Sequence, residues 1–132
     1  MTNTISPIVK WAGGKTQLLG KLTALMRTEE ITTYCEPFLG GGAILFNIKP
    51  GVAYVNDINS GLINLYSVIK YFPEALIAEF RGYENTSEFF YKIRGLDRNA
   101  ERFTALSSVK QAARFIFLNK TCFNGLYREN RQ

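Results

Sequence analysis

Histidine is absent from the 132 residues, and cysteine occurs only twice, as Cys35 and Cys122, neither with a second cysteine nearby. A zinc site or a disulfide framework would lack its ligands, and both thiols are expected to stay reduced. The missing imidazole also excludes a Ser-His or Cys-His nucleophile system. Any chemistry must then run on carboxylates, lysines, backbone groups or a bound cofactor. There is no run of roughly 18 or more apolar residues, and the N-terminus has neither the apolar middle nor the small-residue cleavage site of a secretory signal. Repeats, low-complexity tracts and Gly/Ser/Pro-rich linkers are missing too. The expectation is a soluble, cytoplasmic chain with no membrane partner and no metal.

With 46% hydrophobic residues, the chain can bury a core of one ordinary domain. Its charge is uneven. Residues 1–80 hold six Lys+Arg against six Asp+Glu, whereas residues 81–132 hold ten against five, so the whole +5 excess lies in the second stretch. A solvated helical surface and a surface that meets a polyanion both fit that asymmetry.

Periodicity predicts a helix over about Thr16 to Arg27, with Leu18, Leu19, Leu22, Leu25 and Met26 on one face. The β-branched run Ile31 to Cys35 predicts a strand, followed by a glycine loop and a short helix through Ala43 to Asn47. A second strand is expected over Ala53 to Asp57, ending on a carboxylate. Next come a helix capped by Ser60 and another that starts at Pro73. Composition changes near residue 84 to aromatic and basic helices, which suggests two lobes. Thr86 or Ser87 can cap a helix carrying Phe89, Phe90 and Ile93, and "SVKQ" at Ser108 to Gln111 is a capping-box pattern. In that last helix, Val109, Ala112, Ala113 and Ile116 are expected inside, and Lys110 and Arg114 outside.

"KWAGGKTQLL" (residues 10–19) contains the tail of a phosphate-binding loop, but the pattern G-x-x-x-x-G-K-[ST] needs a glycine where Val9 stands. "YCEPFLGGGAILF" is the stronger signal. A strand, glycines at 40, 41 and 42 and an apolar helix let backbone amides approach a ligand. Asp57 follows Gly40 by 17 residues, where an α/β nucleoside site places an acceptor for ribose hydroxyls. Glu36 precedes the glycines, which suits a ligand with a positive centre rather than a pyrophosphate. S-adenosylmethionine meets these demands: an ammonium and a sulfonium for Glu36, a carboxylate for Lys15 and a ribose for Asp57.

"PIVKWAGGKTQLL", "EPFLGGGAILF", "VNDINSGLINLY" and "FLNKTCFNGLYREN", in this order, resemble the N-terminal half of the Dam-type DNA adenine-N6 methyltransferases. That resemblance implies S-adenosylmethionine as methyl donor, without a metal, and an adenine in duplex DNA as substrate, in a GATC-like site. It also implies an α/β fold: an incomplete Rossmann-like methyltransferase domain (residues 1–84, donor-binding) followed by a helical DNA-recognition extension (residues 85–132). Trp11 would be a packing wall and Lys15 a cationic anchor for the donor, and Glu36, Phe38, Gly40 and Gly42 would form its loop. Asp57 would accept from the ribose. Lys10 would reach the DNA, Phe123 would wedge beside an extruded adenine with Asn124 next to it, and Leu126 and Arg128 would read neighbouring base pairs. The setting implied is the cytoplasm or nucleoid of a bacterium or its phage, including restriction-modification systems.

The family's catalytic tetrapeptide D-P-P-Y is absent, since the four prolines at 7, 37, 50 and 73 are nowhere adjacent. The chain is therefore expected to be a truncated or split piece, inactive alone. Its open sheet edge is expected to pair with the missing C-terminal half or another copy. The rival readings are a non-catalytic DNA-binding module, with Lys10, Arg114, Lys120 and Arg128 on phosphates, and a nucleotide triphosphatase built on Lys15.

Overall fold

The computed structural model describes residues 5–26 and 30–125. It is a mixed helix and strand structure with two compact units, residues 1–58 and 59–132.

In the first unit, a four-residue turn, Trp11 to Gly14, is closed by Gly14 N–H donating to Trp11 C=O at 3.0 Å. Its third residue, Gly13, has φ +70, as type II turns require. A single 3-10 turn, Lys15–Leu18, leads into helix α1, Leu19–Leu25. The stretch predicted as one helix from Thr16 therefore starts three residues later, and its end at Arg27 lies outside the described residues. Leu18 and Leu25 are exposed, so the predicted apolar face is not a buried one.

Strands β1 (Thr33–Glu36) and β2 (Val52–Val55) pair in parallel, Thr33 opposite Val52 and Glu36 opposite Val55. Parallel strands need a crossover, and helix α2, Ala43–Ile48, lies within it. Both strands are displaced from the sequence expectation because pairing, not β-branching, sets their ends. Ile31 precedes the ladder, and Asp57 lies two residues beyond β2. The ladder continues past the strands: Asn56 N–H donates to Glu36 C=O and Leu39 N–H to Asn56 C=O, each at 2.9 Å. Val9, Leu39, Ala43 and Ile44 are buried.

The second unit is helical throughout its described part. Helix α3, Ser60–Tyr71, is capped by Asn59, whose Oδ1 accepts from Leu62 N–H at 2.9 Å. Ser60, the expected cap, is the first helical residue. Pro73 opens α4, Pro73–Glu79, as expected. Thr86 caps α5, Ser87–Arg94, and Asn99 caps the short α6, Ala100–Thr104. Helix α7, Ser108–Thr121, is capped by Ser107 rather than by the capping-box Ser108. The glutamine of that box is used elsewhere: Gln111 Nε2 donates to the carbonyls of Leu106 and Phe103.

Helix α7 packs against α3, α4 and α5. Leu62, Leu65 and Val68 of α3 are fully buried. Gly61 lets α3 come close, since a Cβ there would meet the Phe115 ring at 3.4 Å. On the other flank, Tyr83 sits edge-on to Phe80, Phe89 and Phe117 with ring centroids 5.1–5.3 Å apart. This packing places α3 and α4 in the second unit, so the composition change near residue 84 falls inside it.

Being flanked on two sides overturns the expected polarity of α7. Arg114 is 3% exposed. Its Nε donates to Ile93 C=O at 2.9 Å and its Nη2 to Arg94 C=O at 3.0 Å, with Asp97 Oδ2 at 2.7 Å and the Phe103 ring 5.0 Å away. It cannot meet a phosphate. Val109 and Ile116, expected inside, are only half-buried, whereas Phe115, Phe117, Leu118 and Asn119 are buried.

Arg114→Leu strands two carbonyls and Asp97, and is expected to destabilise the chain by about 3 kcal/mol. Asp97→Asn, at a more exposed site, is expected to cost about 1 kcal/mol or less. Urea unfolding followed by circular dichroism measures both. Burial, and next the Glu79 carboxylate, push the Tyr83 phenol from 10.0 up to about 12, against a smaller opposing pull from Arg114. The folded state thus prefers the neutral phenol. Its contribution is intact below pH 10.0 and lost as pH rises through about 12. A Tyr83→Phe variant should lose less stability than the parent across that window.

Candidate donor-binding site

The first unit contains a cavity of about 630 Å³, a size that suits a cofactor-like ligand. Its walls include Lys10, Trp11, Lys15, Phe38, Gly40 and Asp57. Six residues singled out in the sequence thus share one concavity, drawn from three segments.

Each segment is placed by a local cause. The turn at 11–14 projects Trp11 onto the glycine loop: a Cβ on Gly40 would meet the indole Cδ1 at 3.1 Å. Gly40 and Gly42 have φ of +54 and +75, conformations that glycine adopts without steric cost. Gly42, the N-cap of α2, does not line the cavity. The ladder extension brings Asp57 back across the loop, where its Oδ2 accepts from Gly40 N–H at 2.8 Å.

Lys15 joins the turn to the end of β1. Its ammonium donates to Glu36 Oε1 at 2.9 Å and to the carbonyl of Phe38, which uses two of its three N–H groups. Glu36 stands behind this lysine, 5% exposed. Its other oxygen, Oε2, is buried as well, and Tyr34 on the same strand shares the carboxylate through a side-chain hydrogen bond. Burial first, and then the Glu36 carboxylate, push the pKa of the Tyr34 phenol above the usual tyrosine range. The neutral phenol and Glu36 therefore belong to one face of β1, as alternation along a strand requires. The ring of Phe38 is exposed.

Lys10, expected to face DNA, is exposed and on the cavity wall. Phe123 and Asn124 belong to the second unit; Leu126 and Arg128 lie outside the described residues. Among the described residues, no group of three or more His, Cys, Asp and Glu could hold a metal ion. No described helix is long and apolar enough to cross a membrane.

A family model described as D12 class N6 adenine-specific DNA methyltransferase matches residues 11–132. The chain belongs to that family. It is 42% identical over 128 residues to "Type II methyltransferase M1.LlaDCHI" of Lactococcus lactis subsp. cremoris, a match spanning 96% of this chain and 44% of that protein. It is 39% identical over 145 residues to "Type II methyltransferase M.MjaIII" of Methanocaldococcus jannaschii, 97% of this chain and 50% of that protein. To "DNA adenine methylase" of Serratia marcescens it is 33% identical over 127 residues, 92% of this chain and 44% of the relative. The chain thus spans about half the length of the curated relatives it matches.

In this D12-class chain the triphosphatase reading also fails on geometry. Gly14 N–H is bound to Trp11 C=O, Lys15 is held by Glu36, and Val9 is buried where the loop's first glycine would stand. Some wall residues were not anticipated. Pro7 and Val9 line the cavity behind Gly41, whose Cβ would lie 3.3 Å from Val9 O. Three glycines in a row were the available signal for that close approach. Thr16 and Gln17 also line the cavity, and nothing in their spacing marked them.

Gly40→Ala meets both a positive φ and the indole, and is expected to cost about 1–2 kcal/mol and to shift the Trp11 emission. Gly20→Ala, in α1 with open space where its Cβ would be, is expected to be neutral or to stabilise by up to about 1 kcal/mol. Thermal unfolding with fluorescence detection compares the two.

Proposed function

We propose that this chain is the methyl-donor-binding and DNA-engaging portion of an adenine-N6 DNA methyltransferase, with S-adenosylmethionine as the occupant of the cavity. The observation that carries this reading is the joining of Trp11, Lys15, Gly40 and Asp57 around one concavity, with a buried carboxylate, Glu36, behind it. The donor set suits a ligand that is cationic at one end and a nucleoside at the other. The Glu36 carboxylate, buried and paired with Lys15, supplies negative charge that favours an ammonium nearby. The remaining N–H of Lys15 suits a carboxylate, Asp57 suits ribose hydroxyls, and Trp11 and Phe38 supply flat apolar walls. Gly40 and Gly42 keep side chains out of the loop.

When bound, the donor supplies an activated methyl group. The chain's own residues hold and orient it and exclude water. We place the donor function in residues 1–84, as the start of a Rossmann-like sheet of which β1 and β2 are two strands, and target recognition in residues 85–132. Duplex DNA is the partner, with Phe123, Asn124, Leu126 and Arg128 as its contacts in that stretch and Lys10 as a further contact from the first unit. Methyl transfer itself needs acceptors for the adenine N6 hydrogens, the D-P-P-Y role. The sequence contains no D-P-P-Y, and among the described residues the two acids of the candidate site are engaged, Asp57 with Gly40 and Glu36 with Lys15.

Calorimetry with S-adenosylmethionine should show binding by the 132-residue chain, weakened about tenfold or more in Asp57→Ala. No heat of binding with the folded chain overturns the reading. Incubated with the donor and a GATC duplex, the chain alone should transfer no methyl group. Methylation by it would falsify the assignment of the transfer step to a separate D-P-P-Y segment.

A further inference from the structure

Besides Arg114, helix α7 buries a second polar side chain. Asn119, two residues before the C-terminus of α7, is 3% exposed. Its Nδ2 donates to the carbonyl of Gly125 at 3.1 Å. The bond closes a short loop in which Cys122 N–H donates to Leu118 C=O at 2.9 Å and Gly125 N–H to Cys122 C=O at 3.2 Å. Between these ties lie two residues in costly states. Asn124 has φ +55, and Phe123 is 87% exposed.

An exposed phenylalanine forgoes the stabilisation of burial, and a left-handed backbone outside glycine persists only where its surroundings impose it. Asparagine tolerates that conformation better than most residues, but nothing in its own propensity holds it there. The restraint comes from the buried Asn119 amide, bonded to the Gly125 carbonyl. A flexible aromatic would lose rotational freedom on meeting a base stack. A backbone turn held in place before binding reduces that loss by the part that belongs to the main chain.

We propose that Asn119 is a positioning residue for DNA engagement: through the Gly125 carbonyl it holds the 123–125 turn so that the Phe123 ring projects ready to stack against bases. The inference rests on the reading above that Phe123 meets DNA. It adds a residue that touches no nucleic acid and acts through the turn.

The test uses the whole 132-residue chain and a duplex with a fluorescent adenine analogue at the target position of a GATC site. The wild-type chain should raise the analogue's emission as the base leaves the stack. Phe123→Ala should abolish the rise. Asn119→Leu, close in volume but without a donor, should lower the rise at saturating protein about tenfold. Its salt-dependent affinity for an unlabelled duplex should stay unchanged. Hydrogen exchange should quicken at Gly125 and stay slow in α3. Should Asn119→Leu lose the α3 protection, Asn119→Ser, which removes the amide without adding bulk, takes its place in the same comparison. A rise lost in Phe123→Ala but kept at wild-type amplitude in the folded Asn119 variant overturns this inference alone. No rise with the wild-type chain overturns the DNA reading and this inference with it.

Discussion

The parallel register of β1 and β2 runs two hydrogen bonds beyond the strands themselves, and the geometry of the cavity depends on that overrun. Asn56 pairs with Glu36 and then with Leu39, so the chain leaving β2 is drawn alongside the glycine loop instead of diverging from it. Asp57 follows directly and reaches Gly40. A one-residue slip would turn every side chain of the strand to the opposite face. Glu36 would then leave its lysine, and Asp57 its amide. The short sheet matters less for the area it buries than for bringing the ends of two strands into step.

Lys15 and Glu36 add a second restraint to the first. The pair ties the Trp11–Gly14 turn to the end of β1, and the lysine also caps the carbonyl of Phe38. A partly buried ion pair contributes little net stability once desolvation is counted. Its consequence here is geometric: two loops with few buried side chains keep a fixed spacing, with Trp11 standing between them.

Residues whose roles depend on neighbours a few positions away were legible in the sequence. Pro73 opens a helix because its ring suits the first turn, Thr86 caps because its hydroxyl reaches three residues on, and the three glycines mark a loop that tolerates no Cβ. Roles set by distant partners were not. Arg114 looks like a surface charge one turn from Lys110, and only the docking of α5 and the segment that follows it, with Asp97 and Phe103, makes it internal. Ser108 fits a capping box, yet the helix begins one residue earlier because Ser107 reaches Lys110 and Gln111 is engaged by Phe103 and Leu106. The candidate site lay between these cases. The wall residues could be named from motifs, whereas the pairing of Lys15 with Glu36, and of Asp57 with Gly40, required the strand register.

Trp11 is the chain's one tryptophan, and its ring edge lies against the loop glycine whose conformation shapes the cavity. The seven tyrosines and ten phenylalanines leave the long-wavelength ultraviolet edge to this single indole. The molecule therefore has a native optical probe in the wall of its own pocket. Solvent, dipoles and charge entering that space change the surroundings of one chromophore, and the signal of the rest of the protein stays out of the way.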